Sequence, residues 1–314
     1  MERFEKYPGY RGKYVTRFAN RNVQEFDPES GIADPVEIAY AIANNLATLL
    51  EDSQASKVEA LVFRLWGDYG GQDSSVVVDA LVAAKDKLTN LKAVFLGDIT
   101  YNESEISWIE QSNITPLLEA YPNLQMLQVR GGNGLSFSPT SHDNLKIMVV
   151  ETGGLSPQTI SQICALDLPV LEHLELWLGR DDYGGDSSVE DLMPILAGDL
   201  FPNLTYLGLR NSQYSDKIAA ALVDSPVMEQ ISVLDLSMGT LGNKGALALL
   251  ESPAINQLDI LNVAENYIAH STVELLEKLD CQVIAENQEE DYEDDEDYED
   301  DEDYESDRYC SVAE

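Results

Sequence analysis

The chain has 314 residues, 44% of them hydrophobic, and a formal net charge of −38 at pH 7. Size and apolar fraction predict a packed body, either one large core or a repeat array. The charge argues against nucleic-acid phosphates and anionic membrane surfaces as partners, because phosphate affinity comes from Lys and Arg displacing counterions.

Residues 1–57 fit no repeat. They open with six basic residues (Arg3, Lys6, Arg11, Lys13, Arg17, Arg21) and pass through the turn-rich Asp27-Pro28-Glu29-Ser30-Gly31. Val36, Ala39, Ile42, Ala43 and Leu46 then stand at helical spacing, which predicts a helix over 35–50 with Pro35 at its start, where no amide donor is missed. The segment reads as an N-terminal cap for a solenoid.

From Val58 an apolar comb of the form L-x-x-L-x-L recurs eight times, starting at Val58, Leu91, Leu124, Leu145, Leu171, Leu204, Ile231 and Leu258. Repeats twenty to thirty-odd residues long of strand, turn and helix predict a leucine-rich repeat solenoid over 58–285. The fold class is then α/β: a right-handed arc with a parallel concave sheet and outer helices. One unit alone buries too few side chains to offset the entropy of ordering it, so each is stabilised by its neighbours. Helices are expected at 75–88, 105–120 with a break at Pro116, 157–166, 189–196, 216–223, 243–250 and 271–279. The short Gly/Ser/Pro-rich unit starting at Leu124 leaves no room for one. A last strand is expected at 282–285.

From Glu286 to Asp307 there are sixteen acidic residues and no basic one, so 286–314 is expected to be a disordered acidic tail. The first twenty residues lack an apolar core segment, and no stretch has the length of a transmembrane helix. Three scattered cysteines, Cys164, Cys281 and Cys310, offer neither a disulfide framework nor a Cys-x-x-Cys metal site. A cytoplasmic location and a monomeric chain are the expectation.

Phe95-Leu96-Gly97-Asp98-Ile99-Thr100, Val129-Arg130-Gly131-Gly132-Asn133-Gly134-Leu135, Val150-Glu151-Thr152-Gly153-Gly154-Leu155 and Leu171-Glu172-His173-Leu174-Glu175-Leu176-Trp177-Leu178-Gly179 resemble an uncharacterised bacterial leucine-rich repeat family. The similarity spans about residues 18–279. It implies a ribonuclease-inhibitor-like arrangement of strands and helices and implies no activity. The common repeat places Asn eight positions after the first Leu; here those positions hold Trp66, Ile99, Gly132, Gly153, Gly179, Ser212, Gly239 and Asn266, and only the last fits. Most turns are therefore expected to use glycine's tolerance of positive φ.

Alternation along a strand sets which side chains face the inner surface. One row holds Ala60, Ala93, Met126, Ile147, His173, Tyr206, Val233 and Ile260. A second holds Arg64, Gly97, Arg130, Glu151, Trp177, Arg210, Ser237 and Ala264. Aromatic and Arg side chains beside apolar surface are typical of interaction sites. The expected contact residues for a protein or peptide partner are Arg64, Met126, Arg130, Glu151, His173, Glu175, Trp177, Tyr206 and Arg210. Arg130 and Glu151 are expected to pair across adjacent strands, and Trp177 and Arg210 to stack; Arg64 has no evident partner.

Two similar loops, 66–76 and 181–189, carry Gly-Gly, Asp and Ser-Ser before a helix. They support an alternative, a metal-dependent ligand binder or enzyme in which Asp68, Asp73, Asp181, Asp182 and Asp186 hold a hard cation. The simpler reading is a turn followed by a serine cap, Ser74-Ser75 or Ser187-Ser188. Enzyme signatures are weak. The Gly131-Gly132-Asn133-Gly134 run lacks nucleotide-loop spacing, His142, His173 and His270 lie on different repeats, and no serine sits in a nucleophile elbow. No cofactor and no catalytic residue is expected. Cys164 and Trp108 read as core.

Overall fold

The computed structural model describes residues 13–67, 72–290 and 308–312. Two compact units divide the described residues, the first formed by those of 13–151 with 161–171 and the second by those of 152–160, 172–290 and 308–312.

The first unit holds strands β1 (Arg17–Phe18), β2 (Arg21–Glu25), β3 (Ile38–Ile42), β4 (Ala60–Phe63), β5 (Ala93–Leu96), β6 (Met126–Arg130) and β7 (Ile147–Glu151). Its helices are α1 (Leu46–Leu49), α2 (Ser75–Ala83) and α3 (Thr115–Ala120). Strands neighbour one another in chain order. β1 and β2 form an antiparallel pair, and every later pairing is parallel. As expected, no helix separates β6 from β7.

Helix α4 (Pro157–Cys164) lies where the chain passes from one unit to the other. The second unit holds β8 (His173–Gly179), β9 (Tyr206–Ser212), β10 (Val233–Asp235), β11 (Ile260–Asn262) and β12 (Gln282–Ile284), with helices α5 (Val189–Leu196), α6 (Ser215–Leu222), α7 (Asn243–Leu250) and α8 (His270–Leu276) between them. Its strand pairings are parallel. Strand, turn and helix thus recur at the comb positions, the geometry of a leucine-rich repeat.

Packing follows the comb. Leu174, Leu176, Leu207, Leu209, Leu234, Leu236, Leu261 and Val263 are fully buried. So are Ile195, Leu222, Leu249 and Leu276 on the helices, each 2% exposed or less. Strand side chains on one side and helix side chains on the other thus share a core.

Three expectations need correction. First, residues 35–50 are not one helix. Ile38–Ile42 is a strand whose last four residues are buried, and only Leu46–Leu49 is helical. Ile38, Tyr40 and Ile42 alternate with Ala39 and Ala41, which suits a strand covered on both faces; the spacing of Val36, Ala39 and Ile42 fits a helix only by coincidence. Second, 105–120 is a 3₁₀ turn, Ile106–Trp108, followed by α3, with Pro116 in the first turn of α3 rather than at a break.

Third, glycine serves fewer of the strand-end turns than expected. Gly97, Gly131 and Gly179 have positive φ, but Asn211, Met238 and Glu265 take the same role in later repeats. At Gly179 the backbone of Gly153 lies so close that a Cβ would collide with it. Asn266, the one residue fitting the repeat pattern, is fully buried and bonds fully. Its amide donates to the carbonyls of Leu236 (3.0 Å), Val263 (3.0 Å) and Ala264 (3.1 Å), and its oxygen accepts from Leu241 N–H (3.0 Å).

Of the acidic stretch expected to be a tail, residues 291–307 lie outside the described residues. Glu289 N–H donates to Asn266 O, so the stretch before them is still bonded to the repeats. Among the described residues no helix is long and apolar enough to cross a membrane.

Candidate interaction surface

Strand register aligns the first inner row within each unit and, in the second row, the pairs Arg130–Glu151 and Trp177–Arg210. Ala60, Ala93, Met126 and Ile147 are aligned across β4 to β7, and His173, Tyr206, Val233 and Ile260 across β8 to β11. The rows are not an open apolar surface. In the first unit Ala60, Val62, Ala93 and Phe95 form a cluster with Phe18, Ala39 and Ala41, and Val15 and Met126 pack against it. The Phe18 and Phe95 rings stand 5.8 Å apart. The N-terminal segment therefore covers this part of the sheet.

The same segment supplies Arg64 with partners. Its guanidinium lies 3.8 Å from the Tyr14 ring and 2.8 Å from the Glu25 carboxylate, so the expectation of no evident partner is corrected. Glu25 belongs to β2, which pairs with β3 where a helix is expected. Deeper in the same unit Arg130 and Glu151 pair at 2.6 Å, both fully buried, while Gln128 donates to Glu151 at 2.7 Å. Arg130 also donates to Ile99 O at 3.1 Å and stands 3.8 Å from Asp98. Burial pushes the Asp98 carboxyl up, and Arg130, the Val15 N–H and Arg64 only partly counter it, leaving it at about 6.

In the second unit the inner side chains form one hydrogen-bonded network. Glu175 accepts from Arg210 (2.8 Å), from the Trp177 indole N–H (2.8 Å) and from the Tyr206 hydroxyl (3.1 Å), with His173 Nε2 3.6 Å away. Burial alone would raise this carboxyl, but Arg210, His173 and Trp177 outweigh it and hold it at about 2. Asp235 accepts from Tyr206 (3.0 Å), Asn262 (2.9 Å) and the Ser237 hydroxyl (2.6 Å). Arg210 donates from Nε to Ser237 Oγ at 2.9 Å, and its guanidinium lies 5.4 Å from the Trp177 ring, the stacking read from the strand register. His173 stacks on Tyr206 with ring centroids 3.7 Å apart. Among the described residues the buried Nδ1 of His173 meets no hydrogen-bond partner.

The expected contact residues thus fall into two sets, Arg64, Met126, Arg130 and Glu151 in one unit and His173, Glu175, Trp177, Tyr206 and Arg210 in the other. Most are buried; Arg64 and Met126 are part-exposed. Such an arrangement holds charge and aromatic surface rigidly. Each carboxylate named above is hydrogen-bonded or ion-paired within its own unit.

The two aspartate loops differ. Asp68 lies outside the described residues, and Asp73 accepts from Ser75 N–H at 2.9 Å, opening α2 as an Asx turn; Ser74 instead bonds Ser112. In the second loop Asp181 and Asp182 lie in a 3₁₀ turn closed by Gly184 in the left-handed conformation. Ser188 precedes α5, and the Asp191 carboxylate accepts from both its N–H (2.9 Å) and hydroxyl (3.0 Å). Ser187 bonds the Tyr214 hydroxyl at 2.9 Å. Among the described residues no three His, Cys, Asp or Glu side chains are grouped to hold an ion, Asp186 included.

Three features escaped the sequence. Trp108, read as core, is 73% exposed in its 3₁₀ turn, where only Ile106 points inward. The segment Arg308–Val312, following the acidic run, packs against the second unit and buries Cys310 and Val312. Cys164, also read as core, is half-buried, and burial pushes its thiol up to about 11.

No protein-family model matches the chain, and no curated protein does. Among solved structures, a structural-genomics target from Bacteroides fragilis is similar over 76% of this chain and 69% of its own, at 32% identity and a TM-score of 0.72. An internalin from Listeria monocytogenes aligns over 81% of this chain and 66% of its own at 13% identity, with a TM-score of 0.37, too low to argue a shared fold.

Proposed function

This chain belongs to the same family as the Bacteroides fragilis protein, and we propose that it is a non-catalytic module that binds a protein or peptide partner along the inner face of its strands. The observation that carries this reading is the network joining His173, Glu175, Trp177, Tyr206 and Arg210. It gathers aromatic and arginine side chains of the kind that dominate binding energy at interfaces. Their geometry is set before any partner arrives, so little side-chain entropy remains to be lost on contact. Within the same unit Val233, in register with Tyr206 and part-exposed, offers the edge at which a partner meets this row. The ion-paired carboxylates favour this reading over an enzyme built on the same residues.

The test is capture of partners from the native extract by the wild type and by an Arg64→Ala, Trp177→Ala, Tyr206→Ala variant, with thermal unfolding confirming that the variant is folded. Partners bound by the wild type and lost by the folded variant support the reading. Identical partner profiles overturn it.

A further inference from the structure

The end of the chain is held against the second unit by contacts that read as peptide recognition. Val312 donates its N–H to Asn211 Oδ1 at 2.9 Å, and Asn211 Nδ2 donates back to Val312 O, so one side chain grips both backbone groups of one residue. Ser311 N–H donates to Met238 O at 2.9 Å. Tyr309 exchanges two bonds with the Tyr267 hydroxyl, N–H donating at 2.8 Å and its carbonyl accepting at 3.0 Å, while its ring carries the Arg180 guanidinium 3.8 Å from its centroid. Arg180 Nη1 also donates to Arg308 O at 3.3 Å. Arg308 pairs with Asp216 at 3.1 Å and donates to Thr240 O at 3.2 Å.

Side chains alternate as in an extended peptide on a surface. Cys310 and Val312 are buried at 6% and 4% exposure, and Tyr309 lies outward at 57%. The Arg308 guanidinium lies directly against Gly242, where an added Cβ would force it to shift. Main-chain bonds supply affinity and the side-chain seats supply sequence preference, the division of labour in extended-peptide recognition.

We infer that the turns closing β9 and β10, with Arg180, Asp216, Gly242 and Tyr267, form a peptide-binding site for an extended segment of the pattern Arg, aromatic, small, small, aliphatic, and that the chain's own Arg308–Val312 is its tethered occupant. A partner carrying such a segment competes with the tethered one. The site lies at the strand ends and not on the inner face, so it stands or falls separately from the reading above.

The probe is a fluorescent peptide copying residues 308–314, titrated under reducing conditions into three full-length proteins. Arg308→Ala with Val312→Asp detaches the resident segment and leaves the site intact. The same pair with Gly242→Ala also fills the Arg seat. Covalent attachment holds the resident segment at an effective concentration on the order of millimolar, so the peptide should bind the detached variant at least about tenfold more tightly than the wild type. It should bind the Gly242→Ala form more weakly than its parent, whose thermal unfolding that form should match. Alkylation of Cys310, followed by peptide mapping, should be slow in the wild type and fast in the detached variant. Equal peptide affinity for wild type and detached variant, no binding to the detached variant, or equally fast alkylation of Cys310 in both would overturn the inference.

Discussion

Replacing Glu175 by Gln tests whether the inner network of the second unit is an energetic unit. The carboxylate is 1% exposed and accepts from Arg210, Trp177 and Tyr206. Gln keeps an acceptor for the indole N–H but loses the charge that Arg210 faces, and breaking a buried pair in this way costs about 3–5 kcal/mol. Linkage gives an independent figure. The carboxyl is held at about 2 against an ordinary 4.5, and at about 1.36 kcal/mol per pH unit that gap is about 3 kcal/mol. Because the folded value is depressed, this stability is present above pH 4.5 and is lost as the pH falls towards 2. Urea unfolding, followed through the fluorescence of buried Trp177, should be measured for both proteins from pH 2.5 to 7. Their difference isolates Glu175 from the other carboxyls: about 3 kcal/mol at pH 7, shrinking below pH 4.5. A Glu175→Gln protein within about 0.5 kcal/mol of the wild type at pH 7, the scatter of ordinary surface substitutions, would refute the reasoning, as would parallel stability curves.

Asp98 should behave with the opposite sign. Its folded value of about 6 lies above the ordinary 3.8, so the folded state holds an extra proton between them, and stability should fall by about 3 kcal/mol as the pH rises from 4 to 6. Asp98→Asn, which can still accept from Val15 N–H, should flatten that slope in denaturation curves; an unchanged slope would assign it elsewhere. Leu234, fully buried in β10, should cost about 2–5 kcal/mol as Leu234→Ala by leaving a cavity, and unaltered urea stability would contradict the packing of the comb.

The strands are legible because burial repeats: Leu174, Leu207, Leu234 and Leu261 recur at equivalent positions, and a one-residue slip of any strand would turn its leucine to the opposite face. The same register makes the Arg130–Glu151 pair and the Trp177–Arg210 stack readable from the sequence. What covers the rows was not readable. Val15 and Phe18 reach the first unit's inner face from far away in sequence, and no local periodicity marks a two-residue strand such as β1. Arg64 looked unpaired for the same reason, since Glu25 lies 39 residues away. Arg308–Val312 is too short for a pattern and follows a run of acidic residues. Trp108 is exposed rather than core because a 3₁₀ turn stands where a helix is expected, and the turn presents its ring outward.

The central claim, that partners are met along the inner face, is tested most directly by placing a photo-crosslinking side chain at Val233 or at Leu247. Val233 stands in the inner row between Tyr206 and Ile260 and is part-exposed; Leu247 stands on α7 at 43% exposure. After irradiation in the native extract, partner adducts should form at position 233 and be absent at 247. Adducts at 247 with none at 233 would place the contact on the helices and contradict the account.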